Sequence, residues 1–600
     1  MRNTILAAAA LLLLSCTVKN TADYTPFPLQ PGAEDFNASW LFTPEDGTPR
    51  TVNLPHDWGV EGEFAQENPG ETGKLPWWGR ASYTKSLEVT EKDLEGCVFL
   101  EVDGAMSNAT VSVNGTPVGG WPYGYASWSV DLTPALHPGT NEIAVHLDNK
   151  PESSRWYPGG GIYRNVRLLK TSRAGIAYHG VRVDARHVSS SLADVYVSTT
   201  LRLAPGSIPD STKCTLRVSL SRFPDGRVIS SKDEFITLTD GLTVTCGLDI
   251  FGPDLWSPET PSLYQAKVEL TGEKTDSHPA FSDTQYAVFG VRTAEWRADG
   301  FFLNGERTFL KGVCLHHDAG ALGAVWNTDA WVRRLLKLKE MGCNAIRTSH
   351  NPPSPELLDL CDKMGFLVLD ELTDTWTVPK KENGYATLFD EWAEKDLVAM
   401  IRRDCNHPSV IAWSIGNEVG EQGIPDKWHI AQELSDICHR EDPTRPTTAG
   451  NDNQWASTQP YADALDVYGF NYKPHAYEAF RDSHPGKPFY GSETASTIST
   501  RGYYLFPVSD VKGEGWIDGA PYQVSSYDLY APAWASKPDY EWFYEDSVPE
   551  CAGEFVWTGY DYLGEPTPYN LDLSILTNFH TEEEKQAALR MFESWGQKVL

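Results

Sequence analysis

The sequence is poor in positive charge. Its 600 residues include 50 lysines and arginines against 82 aspartates and glutamates, which gives a formal net charge of −32 at pH 7. A surface with this charge repels phosphate backbones and anionic lipid headgroups. The composition therefore argues against nucleic acid as a partner, and against a membrane contact made by the protein surface itself.

Cysteine is also scarce, and its spacing is irregular. The ten cysteines include no Cys-x-x-Cys pair, so neither a disulfide framework nor a zinc site is indicated. Cys214 and Cys246 lie in alternating strand-like runs of one segment and are the one pair that could form a disulfide. We expect most of the others to be buried thiols.

No internal hydrophobic run is long enough to span a bilayer, and only the first residues are strongly apolar. Arg2 supplies a positive start, Ile5 to Leu14 is unbroken apolar sequence, and Leu13-Leu14-Ser15-Cys16 resembles a bacterial lipobox. The leader predicts a lipoprotein signal and tether over residues 1–24, with lipid on Cys16 and attachment to the bacterial cell envelope, on the periplasmic or outer-membrane face. An ordinary cleaved signal is the alternative.

Two segments of short alternating runs follow. In residues 25–172 the strand pattern includes Asn114-Gly115, a hairpin signal, and predicts a β-sandwich. In residues 173–292 the same period returns, as at Leu216, Val218 and Leu220, over the length of an immunoglobulin-like β-sandwich. The lack of a fixed-period repeat argues against a solenoid or propeller.

The pattern changes after Phe289, where strand-like apolar runs alternate with helical stretches. One helix has readable ends, with Ser354 as N-cap, Pro355 at its first position and Gly365 as its stop. Eight such strand-helix units over residues 293–600 predict a C-terminal (β/α)8 TIM barrel, in which chemistry is expected just after each strand. The eight runs are Phe309 to Val313, Cys343 to Arg347, Phe366 to Leu369, Val410 to Ile415, Thr447 to Ala449, Asp466 to Phe470, Phe489 to Gly491 and Glu554 to Trp557.

Polar and aromatic residues are concentrated at those strand ends. Two of them, Glu418 after the fourth run and Glu493 after the seventh, are carboxylates that a closed barrel would bring to one face. Glycoside hydrolysis needs such a pair, since one group protonates the leaving oxygen while the other attacks or stabilises the sugar carbon. The full set is His316, His317, Arg347, His350, Asp370, Glu371, Asn417, Glu418, Asn471, Tyr472, Glu493, Trp557 and Asp561.

Several longer motifs resemble one family. They are Asn53 to Trp58, Asp103 to Ala109, Ser154 to Asn165, Leu255 to Tyr264, Phe289 to Arg292, Gly312 to Asp318, Asn344 to Pro352, Trp413 to Glu418 and Tyr490 to Glu493. Together they resemble glycoside hydrolase family 2, which contains β-galactosidases, β-glucuronidases and β-mannosidases. The resemblance covers nearly the whole chain beyond the leader and is strongest for galactosidase-like members from gut bacteria. It implies that the β-sandwich of residues 25–172 is sugar-binding-like and of jelly-roll type.

The resemblance implies a role for each matching residue. Glu418 corresponds to the acid/base, Asn417 to the residue that holds the sugar's 2-hydroxyl, and Glu493 to the nucleophile. Tyr472 corresponds to a tyrosine that hydrogen-bonds the nucleophile, and Arg347 to the arginine that keeps it ionised. The implied mechanism is retaining double displacement, with carboxyl groups about 5 to 5.5 Å apart.

Four further residues are implied to line the sugar subsite: His316, His350, Trp557 and Asp561. Other uses remain open for each. Either histidine could brace a loop, Trp557 could belong to the core, and Asp561, like Glu565, could be a solvated loop acid. Arg347 could serve an ion pair with Glu371 instead of the nucleophile.

The sequence also departs from the family's patterns. The His that helps some β-galactosidases hold magnesium is missing after the third strand, where Asp370 to Trp376 stands. No Asn-x-Lys motif of β-glucuronidases follows the eighth strand, and Ser153 to Trp156 does not contain the acid that the best-known β-galactosidases bring from the first sandwich. Because of the missing His, we expect no metal or cofactor. The run Trp557 to Pro566 resembles galactosidase-like members, which implies an oligosaccharide substrate and exo-β-galactosidase activity. β-Glucuronidase and β-mannosidase are alternatives.

A non-catalytic glycan-binding lipoprotein is the alternative from another class.

The final segment, Thr581 to Leu600, predicts one helix with a Thr581…Glu584 capping box. Family members usually continue further, which leaves open whether the eighth barrel helix is complete. The sequence does not indicate an oligomeric state.

Overall fold

The computed structural model describes residues 24–497 apart from 66, 206–207, 209–211 and 277, then 531 and 534–564, and six residues between 581 and 590. The predicted lipidation site Cys16, the loop acid Glu565 and most of the helix predicted from Thr581 lie outside the described residues. The three predicted domains are all present, so the fold class is confirmed.

The first domain is a β-sandwich of two antiparallel sheets. The predicted hairpin is present: Asn114 and Gly115 join two strands with φ of 51° and 79°, the left-handed conformation that a two-residue turn requires. The four-stranded sheet runs Ala33–Asp35, Val166–Thr171, Cys97–Val102 and Trp128–Asp131, and the six-stranded sheet runs Arg50–Val52, Trp40–Pro44, Gly79–Val89, Gly139–Asn149, Ala109–Val113 and Thr116–Trp121.

The second domain is a smaller sandwich with its own core of alternating apolar residues. Cys214 and Cys246 lie in that core as free thiols, so the possible disulfide is not formed. One sheet runs Ala174–Arg186, Leu192–Leu203 and Thr243–Phe251, and the other Val228–Thr237, Lys213–Phe223, Leu263–Gly272 and Phe281–Phe289.

The third domain is a closed barrel of eight parallel strands, which confirms each of the eight predicted runs. A three-stranded sheet precedes it, at Ala294–Arg297, Gly300–Leu303 and Glu306–Arg307. Several barrel strands extend beyond the apolar runs, because polar residues at their carboxyl ends continue the ladder. The strands are Leu310–Leu315, Ala345–Thr348, Leu367–Glu371, Val410–Asn417, Thr447–Asn451, Val467–Asn471, Phe489–Ala495 and Gly553–Trp557.

Helices cover the outside of the barrel. The helix Pro355–Met364 begins after Ser354 and ends at Gly365, whose φ of 75° is left-handed, as the sequence predicted. The others are Thr328–Met341, Phe389–Asp404, His429–Glu441, Tyr477–Ser483 and Pro538–Ser547. Of the helices in the described part of the chain, none is long and apolar enough to cross a membrane.

The first sandwich packs against the barrel through a shared apolar core, which includes Trp156 and Tyr157 of the sandwich and Leu315 and Trp376 of the barrel. The buried guanidinium of Arg164 donates to the carbonyl oxygens of Pro352 and Pro353 at 2.8 and 3.0 Å. Since these prolines follow the second barrel strand, the sandwich is fixed against the carboxyl ends of the strands, where the site lies.

Candidate active site

A cavity of about 330 Å³ opens at the carboxyl ends of the barrel strands. Most predicted site residues line it: His316, His350, Asn417, Glu418, Tyr472, Glu493 and Trp557. Glu71, Arg155, Trp156, Asp452, Lys473, Trp534 and Tyr562 complete the lining. The barrel thus brings both candidate carboxylates to one cavity.

Glu493 is held through both of its carboxylate oxygens. Nη1 of Arg347 donates to Oε1 at 2.8 Å, and the hydroxyl of Tyr472 donates to Oε2 at 2.9 Å. Burial and the nearby Glu418 raise the pKa of Glu493 to about 7, while Arg347 and Tyr472 oppose that rise. Both donors therefore favour the ionised form that a nucleophile needs.

Glu418 lies in a backbone position that few non-glycine residues adopt, with φ of 46°. Its N–H donates to the carbonyl oxygen of Gly450 at 2.8 Å, and Nδ2 of Asn471 donates to its Oε1 at 3.0 Å. A left-handed residue costs about 1–3 kcal/mol, and such strain persists where the surroundings fix it. The turn directs the side chain of Glu418 into the cavity just after the fourth strand.

Arg347 serves both of the partners that the sequence left open. It is fully buried, and it contacts Glu371 through Nε at 2.9 Å as well as Glu493. Its Nη2 also donates to Oδ1 of Asn417 at 2.8 Å. One guanidinium therefore fixes residues from the third, fourth and seventh strands, which suits its rigid fork of donors.

Glu371 connects this network to a histidine. Nδ1 of His350 lies 2.6 Å from Oε1 of Glu371, and Ser414 donates to Oε2 at 2.6 Å. His350 Nε2 lies 3.5 Å from Oε1 of Glu493. Burial lowers the pKa of His350 well below its usual value, so this ring is neutral near pH 7 and adds no positive charge beside the nucleophile.

Aromatic rings form one wall of the cavity. Trp557 stacks on His350 with ring centres 5.2 Å apart and planes 10° apart, and His316 meets Trp557 edge-on at 5.4 Å. Trp156 of the sandwich lies 5.2 Å from the ring of His316. Apolar faces of this kind suit the carbon face of a sugar ring.

Some contributors to the cavity were not predicted. Asp561 is exposed and does not line the cavity, whereas Tyr562 next to it does. Arg155 and Trp156 come from the first sandwich, from the stretch in which the sequence lacks the acid of the best-known β-galactosidases. They belong to the Ser154–Asn165 motif, which was a signal for them. Glu71, Asp452, Lys473 and Trp534 carried no sequence signal.

The segment after the third strand does not fit magnesium. The oxygens of Glu371 already accept from Arg347, His350 and Ser414, and Asp374 accepts from Arg155 at 2.9 Å. Magnesium requires carboxylate oxygens that are free to enter an octahedral shell. Within the residues described, no group of three His, Cys, Asp or Glu side chains could hold a metal ion.

Comparisons with known proteins agree with this architecture. Family models described as the glycosyl hydrolase 2 galactose-binding domain-like domain, glycosyl hydrolases family 2, and the glycosyl hydrolases family 2 TIM barrel domain match residues 64–156, 180–292 and 295–582. The β-galactosidase BoGH2A of Bacteroides ovatus is 38% identical over 593 residues, which cover 89% of this chain and 68% of that protein. This chain belongs to glycoside hydrolase family 2. The resemblance predicted from the motifs is confirmed.

Some similar members of the family are named for activities other than β-galactosidase. A β-glucuronidase of Bacteroides fragilis is 30% identical over 440 residues, covering 69% of this chain and 60% of that protein. The crystal structure of a β-glycosidase from Bacteroides vulgatus is 33% identical and superposes with a TM-score of 0.78 over 89% of this chain and 71% of that one. This family-2 chain spans 53 to 60% of several other curated relatives.

Proposed function

We propose that this family-2 protein is a retaining exo-β-glycosidase, with terminal β-linked galactose as its substrate. The observation that carries the proposal is the setting of Glu493, which receives hydrogen bonds on both oxygens and shares its cavity with Glu418. The cavity of about 330 Å³ is at the small end of ligand sites. It therefore suits one terminal sugar rather than a long chain.

In the first step, a carboxylate oxygen of Glu493 attacks the anomeric carbon while the bond to the leaving oxygen breaks. Glu418 donates its proton to that oxygen, so the aglycone leaves as a neutral alcohol. Arg347 and Tyr472 both donate to Glu493, and these hydrogen bonds favour the charged form of the nucleophile.

In the second step, Glu418 takes a proton from water as the water oxygen attacks the anomeric carbon. The bond from the sugar to Glu493 then breaks, and Glu493 leaves as a carboxylate stabilised by the same two donors. Two inversions give net retention. Asn417, held by Arg347 and by Asn471 at 3.0 Å, is placed beside Glu418 to hold the 2-hydroxyl of the sugar.

The choice of galactose rests on the relative from Bacteroides ovatus, which is named a β-galactosidase and is similar over most of the chain. β-Glucuronidase activity is the second candidate. Arg155 and Lys473 line the cavity and could pair with a uronate carboxylate, and a relative named β-glucuronidase shares 30% identity.

We also propose that the protein is a lipoprotein of the bacterial cell envelope, anchored through Cys16. The apolar run before Leu13-Leu14-Ser15-Cys16 supports this. With a net charge of −32, the protein surface repels anionic lipid. In this proposal the lipidated tether therefore makes the attachment to the membrane.

Turnover of 4-nitrophenyl β-galactoside, β-glucuronide, β-mannoside and β-fucoside, compared by kcat/KM, tests the substrate. We expect the galactoside to be preferred. Preference for another sugar would overturn the galactose assignment but would not contradict the proposed mechanism. Binding of glycans without hydrolysis of any of the four would favour the non-catalytic alternative.

A further inference from the structure

A second cavity of about 340 Å³ lies beside the catalytic one, between the first sandwich and the barrel. Arg155, Trp156 and His350 line both cavities. The sandwich contributes Met106–Asn108, Pro122–Tyr125 and the loop around Lys150. The barrel contributes Thr373–Thr375 and residues of the loop that follows, which are Lys380, Lys381, Asn383, Gly384, Tyr385, Thr387 and Leu388. A glycan whose terminal sugar occupies the catalytic cavity would therefore have the second cavity as its neighbour.

The charge of this second cavity is opposite to that of the molecule. Its charged lining residues are Lys150, Arg155, Lys380 and Lys381 against the single carboxylate Asp374, in a chain with a net charge of −32. The catalytic cavity has the reverse balance, with Glu71, Glu418, Asp452 and Glu493 against Arg155 and Lys473. A cationic recess in an acidic protein concentrates anions at one place.

The carboxylate of Asp374 does not cancel this charge. It accepts from Arg155 at 2.9 Å and lies 3.4 Å from Nζ of Lys380. Burial would raise the pKa of Asp374, but Lys380 and Arg155 together lower it to about 2. One negative charge is thus shared by two cations, and the guanidinium keeps donors for another anion.

The two remaining lysines lie nearer the surface. Nζ of Lys381 contacts Glu71 at 2.7 Å and Glu152 at 3.3 Å, and these glutamate side chains are 39% and 45% exposed. Ion pairs with exposed glutamates are weak, so an anionic ligand can compete for Lys381. Lys150 is exposed at the rim.

The rest of the lining suits a sugar. The rings of Tyr123 and Tyr385 pack 4.5 Å apart, and their hydroxyls are committed to Leu372 and Asp396 at 2.7 Å each. They therefore present ring surface. Polar residues that also line the cavity are Asn108, Asn383, Ser153 and Thr387. Asn108, Asn383 and Thr387 already donate to backbone carbonyl oxygens, which leaves their side-chain oxygens to accept from sugar hydroxyls. Such a mixture is typical of ligand sites.

We propose that this second cavity binds an anionic group of the substrate glycan, a sulfate ester or a carboxylate, while the terminal sugar of that glycan occupies the catalytic cavity. The inference rests on the proposed glycosidase function. It makes the enzyme selective for acidic glycans, a class that its own surface charge would otherwise repel.

The test compares the wild type with a Lys150→Met/Lys381→Met variant on 4-nitrophenyl β-galactoside, its 3-, 4- and 6-sulfates, and the β-galacturonide. Lys337→Met/Lys395→Met is the matched control, because both of these lysines are exposed on helices and pair with Glu340 and Glu391. The readout is the kcat/KM of each anionic substrate divided by that of the neutral galactoside. Hydrogen bonds to charged groups are among the stronger ones, so we expect that ratio to fall about tenfold or more in the variant.

A fall confined to the sulfates identifies a sulfate ester as the ligand, and a fall confined to the galacturonide identifies a carboxylate. An unchanged ratio, or an equal fall in the control variant, would overturn the inference about the second cavity. Turnover of the neutral galactoside in the same experiment would still support the proposed glycosidase function. If no glycoside is hydrolysed, the proposed function fails. Calorimetry then measures the affinities for galactose 6-sulfate and for galactose, which tests the second cavity without any need for turnover. Equal affinities for the two sugars would refute the inference.

Discussion

Tyr472 and Glu493 are joined twice, once through side chains and once through the backbone. The hydroxyl of Tyr472 donates to Oε2 of Glu493 at 2.9 Å, and the N–H of Tyr472 donates to the carbonyl oxygen of Glu493 at 2.9 Å. The backbone bond holds Tyr472 at a left-handed φ of 56°. This turn directs its hydroxyl at the nucleophile, so the two residues act as a unit.

The first prediction concerns pH. Glu493 must be ionised to attack, and its pKa is about 7, so kcat/KM should fall as the pH drops through 7. Tyr472→Phe removes a donor to the charged form and should move this acidic limb about one unit higher. The pH profile of Tyr540→Phe, a change at a tyrosine exposed on the helix Pro538–Ser547, is the control. An unshifted limb in Tyr472→Phe would contradict the role.

The second prediction separates the two carboxylates. Glu493→Gln should lose all measurable turnover, whereas Glu418→Ala should keep the first step for substrates with good leaving groups, because these need no proton. General acid–base catalysis contributes about 10²–10⁴-fold, so deglycosylation of Glu418→Ala should slow by that amount. Added azide should restore it, since azide attacks without a general base. Rescue of Glu493→Gln in place of Glu418→Ala would reverse the roles.

The third prediction identifies the covalent intermediate. A 2-deoxy-2-fluoro galactoside slows both steps, so a glycosyl-enzyme should accumulate with its sugar on Glu493. Peptide mass spectrometry after digestion would locate the label. A label on Glu418 would refute the proposed nucleophile.

The fourth prediction concerns stability. Arg347→Met leaves Glu371 and Glu493 buried without their cation, which should cost about 3–5 kcal/mol in the free energy of unfolding. Burial raises the pKa of both carboxyls to about 7 even with Arg347 present. The loss should therefore be largest above pH 7 and shrink at lower pH, where both become neutral.

Urea denaturation at several pH values measures that loss. Arg297→Met is the matched control, since Arg297 pairs with Glu295 at the surface and should cost less than about 1 kcal/mol. A loss in Arg347→Met that does not depend on pH would show that the carboxylates are not its cause.

The fifth prediction tests the leader. Cys16→Ser should release the protein from the membrane fraction without altering turnover of soluble substrates, because the predicted lipid is the attachment. Immunoblots of membrane and soluble fractions, with activity in each, measure this. A variant that stayed in the membrane fraction would point to a surface contact and refute the lipid anchor.

Sequence reasoning identified much of the barrel and its carboxylate pair. Alternation of apolar residues is set by local backbone geometry, so the eight strands could be read from short windows. Their ends could not, because the fourth strand reaches Asn417 and the seventh Ala495 only through pairing with their neighbours. Glu418 and Glu493 were found because each follows an apolar run of the barrel, where this fold places its functional residues.

The sequence by itself determined the order of domains, the eight parallel strands and the residue types at their ends, since each depends on local period and motif. The tertiary structure decided that Arg347 contacts Glu371 and Glu493 together, that Asp561 lies outside the cavity, and that Arg155 and Trp156 of the sandwich enter it. Those outcomes depend on contacts between residues far apart in the chain. Their distances are fixed by the closure of the barrel and by the packing of the sandwich against it, and a local sequence pattern contains neither.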